Sequence, residues 1–191
     1  DLGNALSSSS LASGQEMIMM GGGNPAHIPE VQDVFKKRLS NMLTSKQDFQ
    51  RLIGIYDPPQ GNVEFVQAIC DLLNDQYGWG LGPENIALTN GSQAAFFMLF
   101  NMFAGDFSDG SKKQIQLPLA PEYIGYSDAG LVDSFFKANR PSIEHIDTTT
   151  FKYHIDFEQF NVTPSTGAIC VSRPTNPTGN VLTDDEISRL D

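Results

Sequence analysis

From residue 85 onward, short apolar runs alternate with helical stretches, and this alternation constrains the fold more than any other feature of the chain. Residues 85–89, 114–117, 142–146 and 168–172 read as strands; residues 92–103, a stretch around 126–131, and 183–190 read as helices. Strands alternating with helices build a mostly parallel sheet with helices on both faces, so the expected class is α/β. In such sheets ligands bind in the loops that leave the carboxyl ends of strands and lead into helices. Thr183, followed three positions later by Glu186, forms a capping box that opens the last helix.

The chain before residue 85 has a different pattern. Residues 1–15 are polar and read as a helix start followed by a mobile segment. An apolar run, 17–20, is halted by Gly21-Gly22-Gly23-Asn24-Pro25, where glycine permits close approach of backbone to a ligand or to another chain, or simply makes a plain loop. Residues 29–43 read as a helix with Pro29 at its first position, because Val31, Val34, Phe35, Leu39, Met42 and Leu43 recur at steps of three and four. Tyr56-Asp57-Pro58-Pro59-Gln60-Gly61 reads as a rigid turn. A long amphipathic helix follows over 63–77, with Phe65, Val66, Ile69, Leu72, Leu73 and Tyr77 expected inward. Gly78, Gly80, Gly82 and Pro83 end it.

Composition excludes several function classes. A net charge of -11 over 191 residues repels a phosphate backbone, so a nucleic-acid partner is not expected. No run approaches the ~18 apolar residues of a membrane span, and no basic, apolar leader is visible, so a cytoplasmic location is expected. The two cysteines, Cys70 and Cys170, sit in apolar runs and read as buried free thiols. The three histidines, His27, His145 and His154, have no ligand spacing, so no metal site is expected. The Asn161-Val162-Thr163 glycosylation match reads as chance. The chain begins on Asp1 rather than Met and stops at Asp191 inside a young helix, and is expected to be part of a longer protein.

Three loops stand at strand ends. In Thr89-Asn90-Gly91-Ser92-Gln93, the start of a helix presents backbone N–H groups and a favourable dipole to an anion. Gly91 allows close approach and Ser92 adds a hydroxyl; the loop is either a phosphate cradle or a plain N-cap. In Pro118-Leu119-Ala120-Pro121-Glu122-Tyr123-Ile124-Gly125-Tyr126, Tyr123 can stack on a flat ring or simply pack over the sheet. In Arg173-Pro174-Thr175-Asn176-Pro177-Thr178-Gly179-Asn180, prolines on both sides hold Asn176 at a strand end, where its amide can donate and accept.

Asn176-Pro177-Thr178-Gly179 in this setting resembles the Asn-Pro-x-Gly signature of the fold-type-I, class I/II aminotransferases, and the other two loops arrive in that family's order. The resemblance extends to Gly21-Gly22-Gly23-Asn24-Pro25 and so over nearly the whole chain. It implies pyridoxal 5'-phosphate as cofactor, and an exchange of an amino group between L-valine and pyruvate through a Schiff base. The partners implied are a small amino acid and a 2-oxo acid. It places residues 1–48 in an N-terminal arm and small-domain segment, and 49–191 in the N-terminal part of the cofactor-binding large domain. Gly91, Ser92 and Gln93 fall where the family holds the cofactor phosphate. Tyr123 falls where an aromatic ring stacks on the pyridine. Asn176 falls where an asparagine bonds the ring oxygen and lies near the substrate carboxylate. Gly23 falls where backbone lines the substrate pocket. Tyr56 falls where a tyrosine reaches the phosphate in the other subunit's site, which implies a homodimer with shared active sites.

The resemblance also implies groups that follow the Asn-Pro-Thr-Gly loop in this family: the Schiff-base lysine, the carboxylate paired with the pyridine nitrogen and the arginine that clamps the substrate. Lys36, Lys37, Lys46, Lys112, Lys113, Lys137 and Lys152 all precede that loop, so no catalytic residue is nominated here and the lysine is expected beyond Asp191. Arg173 lies beside Asn176, but no motif makes it the clamp. The same loops serve β-lyases and other transaminases of this fold, and a non-catalytic cofactor-binding or dimerisation fragment is the alternative from another class.

Overall fold

The structure is a computed structural model that describes residues 25–191. The polar start, the apolar run at 17–20, and Gly21 to Gly23 lie outside the described residues. The chain divides into two compact units, residues 1–58 and residues 59–191.

Among its described residues the first unit holds α1 (Pro29–Thr44) and α2 (Lys46–Gly54). Pro29 sits at the first turn of α1, as the sequence predicts. Ser45 ends α1 and caps α2, its hydroxyl accepting from Asp48 N at 3.2 Å. Helix α2 is not anticipated from the sequence, because Phe49, Leu52 and Ile53 are too few to mark a periodic stripe. The apolar stripe of α1 is largely exposed, Val34 and Leu43 being 66% and 64% accessible.

The second unit opens with α3 (Val63–Tyr77), with the predicted bounds. Asn62 caps it through a bond from Phe65 N, and Gly78, in the left-handed conformation, closes it. Of the face expected inward, Val66 is buried together with Cys70, whereas Phe65, Leu72 and Tyr77 are exposed. Residues 85–89 do not form the expected strand. Pro83–Asn85 is a 3₁₀ turn, and no strand among the described residues pairs with the segment that follows. Gln60 takes the place of a neighbour: its Nε2 donates to Ile86 O at 2.6 Å, and its carbonyl accepts from Leu88 N at 2.8 Å.

Helix α4 (Ser92–Phe103) then leads to a four-stranded sheet of β1 (Gly105–Asp106), β2 (Lys112–Leu117), β3 (Phe136–Ala138) and β6 (Thr166–Ile169). β3 and β6 both pair with β2 in parallel; only the two-residue β1 is antiparallel. β2 becomes fully buried from Ile115 to Leu117, as befits a central strand covered on both sides. Around it Phe100, Ala104, Tyr126, Ala129, Phe135 and Cys170 form the core. β6 runs close under the end of α4: a Cβ on Gly167 would sit 1.8 Å from Phe103 O. The α/β expectation stands, and both cysteines are free and buried.

Two further expectations change. The stretch around 126–131 is no helix; a 3₁₀ turn, Ile124–Tyr126, gives way to irregular turns. The side chain of Asn101 on α4 satisfies that backbone instead, donating to Ala129 O at 2.7 Å and accepting from Leu131 N at 3.1 Å. The strand expected at 142–146, β4 (Ser142–His145), lies in a separate antiparallel hairpin with β5 (Phe151–His154). The Asp147 carboxylate closes the hairpin by accepting from Thr149 N and Thr150 N, both at 2.7 Å. The last helix, α5 (Asp184–Leu190), carries the predicted capping box. Glu186 also accepts from Ile155 N at 2.9 Å and pairs with His154, docking α5 on the hairpin.

Candidate functional site

Because β2 and β6 are parallel, the segments that follow them leave from the same end of the sheet. There they meet the start of α4 around a cavity of about 300 Å³, lined among others by Ser92, Gln93, Tyr123, Tyr126, Ser172 and Asn176. That volume is at the lower end of the range for small-molecule sites. The three loops singled out in the sequence therefore converge, although residues far apart in the chain supply them.

The start of α4 has the features that favour an anion. Gly91 precedes the helix at φ 86°, a conformation that glycine adopts without strain. No side chain caps the helix, and a Cβ placed on Gly91 would meet nothing within 4 Å. The first helical N–H groups and the dipole face an approachable space. The Gln93 side chain donates to Gly125 O at 2.8 Å, tying the start of α4 to the tyrosine loop.

The aromatic wall is a stack of rings. Tyr123 and Tyr126 meet edge to face at 5.3 Å, and Tyr126 packs in turn on Phe96 and Phe100. Gly125 makes this possible, since a Cβ there would lie 2.3 Å from the Tyr123 ring. Tyr126 is buried and its hydroxyl bonds the Ser172 hydroxyl. Burial pushes its phenol above the ordinary value, partly offset by that bond. Burial likewise pushes the neighbouring Cys170 thiol up to about 11, with the Glu122 carboxylate adding to it.

Asn176 is exposed at the cavity edge, in a turn closed by Gly179 N donating to Thr175 O at 2.6 Å. The same loop carries a feature not singled out from the sequence. Glu122 and Arg173 form an ion pair at 3.0 Å, their side chains 4% and 8% exposed. Arg173 lines an adjoining apolar groove with Val181, Leu182 and Ile187 rather than the cavity itself. Tyr126 and Ser172 are further cavity residues that the sequence does not single out. A second aromatic three positions after Tyr123 is the only signal it offers for either.

Tyr56 belongs to the first unit and is fully exposed. Gly23 lies outside the described residues. None of the chain's lysines lines the cavity. Among the described residues no cluster of metal-ligating side chains occurs, and no helix is long and apolar enough to cross a membrane.

An uncapped helix start, a tyrosine wall and an asparagine at one end of parallel strands suit the class of protein that holds a phosphate-bearing, flat-ringed cofactor. More narrowly, the chain belongs to the class I and II aminotransferase family, whose family model matches residues 21–190. It is 55% identical over 174 residues to valine–pyruvate aminotransferase of Escherichia coli K12, a match covering 91% of this chain and 42% of that protein. The crystal structure of valine–pyruvate aminotransferase from Salmonella typhimurium LT2 matches with a TM-score of 0.76 at 51% identity, over 91% of this chain and 42% of that one. A putative amino-acid aminotransferase from Psychrobacter arcticum 273-4 matches with a TM-score of 0.81 at 43% identity, over 90% and 43%. The chain thus spans about two-fifths of the length of these relatives. The cofactor of the family is pyridoxal 5'-phosphate. The residues present fit it, because the open approach at Gly91 admits a phosphate and Tyr123 offers a ring wall beside it.

Proposed function

We propose that this chain supplies the phosphate- and ring-binding side of a transaminase that moves an amino group between L-valine and pyruvate, giving 3-methyl-2-oxobutanoate and L-alanine. The convergence of Ser92, Gln93, Tyr123 and Asn176 on one cavity carries the reading, and the likeness to valine–pyruvate aminotransferase supports the choice of substrates. Bound pyridoxal phosphate would supply the electron sink and the amino-group carrier.

The chain's own residues bind and orient. Backbone N–H groups after Gly91 and the Ser92 hydroxyl hold the phosphate. Tyr123 stacks on the ring. Asn176 donates to the ring oxygen and orients the substrate carboxylate. Gly23 lines the substrate pocket. Tyr56, fully exposed on its own unit, reaches the phosphate of a second copy in a homodimer. Residues 1–48 belong to the arm and small domain and 49–191 to the large domain. The lysine that bonds the cofactor comes from sequence beyond Asp191. A cytoplasmic role in amino-acid biosynthesis goes with this reading, and two buried free thiols suit a reducing compartment.

The test is a visible spectrum of the folded full-length protein with pyridoxal phosphate, before and after L-valine, with alanine formation from pyruvate followed in parallel. A cofactor band that moves on valine, with keto acid released, is expected. No band in a folded protein removes the transaminase reading; a band that ignores valine but answers another amino acid changes the substrate alone.

A further inference from the structure

We infer that the buried Glu122–Arg173 pair is a positioning device that registers the loop carrying Tyr123 against the loop carrying Asn176, an inference that rests on the cofactor reading of the cavity. Each member is wired to both loops. Glu122 accepts from Tyr123 N at 2.9 Å on one oxygen, and from Arg173 Nη1 at 3.0 Å and Ser172 N at 3.4 Å on the other. Arg173 donates through Nη2 to Leu119 O at 3.0 Å, and through Nη1 to Ser172 O at 2.6 Å and to the Thr175 hydroxyl. Leu119 lies in the tyrosine loop and Thr175 adjoins Asn176, so the guanidinium bonds both loops at once.

A contribution to stability alone does not account for this arrangement. Two charges are taken out of water, and Arg173 Nε is buried with no hydrogen-bond partner. Apolar side chains of equal volume would fill the space without that penalty. What they could not supply is direction: a carboxylate takes a backbone donor from each loop at fixed angles, and a guanidinium reaches back with its planar fork. Neither residue is among those lining the cavity, so neither is a catalytic residue.

The test uses full-length holoprotein and three variants. E122Q keeps an acceptor for Tyr123 N but leaves the arginine charge unpaired. E122Q/R173M removes both charges at similar volume and keeps the fold even where the single variant loses it. R173K keeps the charge without the fork and is read in the same way. The readouts are the visible circular dichroism of the bound cofactor, its dissociation constant, and KM against kcat. We expect a weakened dichroism band, a dissociation constant raised about tenfold, and a kcat lowered more than KM is raised, in protein that melts cooperatively. Folded variants with parental dichroism and affinity would overturn the positioning role. A parent that binds no cofactor would instead overturn the cofactor reading, and the pair's role with it.

Discussion

At the scale of single residues, burial decides reactivity. The Cys170 thiol, pushed up to about 11, is almost wholly protonated at pH 8, and the thiolate is the nucleophile. Alkylation of the native protein should therefore leave Cys170 unmodified at pH 8 and reach it only as pH climbs toward 11 or the protein unfolds. Labelling within minutes at pH 8, read by mass spectrometry, would contradict the burial described. The same scale shows what a sequence makes legible. Ser92, Tyr123 and Asn176 could be read because residue type and position at a strand end carry the chemistry together. Glu122 and Arg173 could not, since they stand 51 residues apart and charged side chains ordinarily read as surface.

At the scale of elements, the periodic helices were legible and the pairings were not. Helices α1 and α3 follow from their apolar spacing, α4 from the length of its apolar run and α5 from its capping box, within a residue at their ends. β3 and β5 were not read because each is short and carries a lysine, Lys137 or Lys152, in place of an apolar run, and a strand is defined by a partner elsewhere in the chain. The hairpin at 142–154 could have been suspected from Asp147 and the three threonines after it, a side-chain-closed turn. Packing between elements yields a sharp prediction at Gly167. Gly167→Ala places a methyl against the Phe103 carbonyl, a backbone atom that cannot swing aside. A loss on the order of 3 kcal/mol is expected, seen as an earlier midpoint in urea unfolding. An unchanged midpoint would mean that β6 does not pass under α4 as described.

At the scale of the whole molecule, a chain about two-fifths as long as its relatives leaves much apolar surface uncovered. Helix α4 alone exposes Phe97, Met98, Leu99, Met102 and Phe103 by 42–65% each. Contiguous apolar surface of this kind drives association in water. The 191-residue chain in isolation is therefore expected to self-associate in light scattering, and a monodisperse monomer would contradict this. The α/β class was readable at this scale because alternation of elements is a global property of the sequence. The antiparallel hairpin and the break at residue 58 were not, since both depend on which segments find each other in space. The buried ion pair has a consequence for descent. Replacing either member alone strands a buried charge, at a cost of about 3–5 kcal/mol, while replacing both is close to neutral for folding and forfeits only the register of the two loops. A lineage can reach an uncharged pair only by crossing that valley or by two changes arriving together. Glu122 and Arg173 are thus expected to change together, and a sequence that keeps this fold should carry both charges or neither.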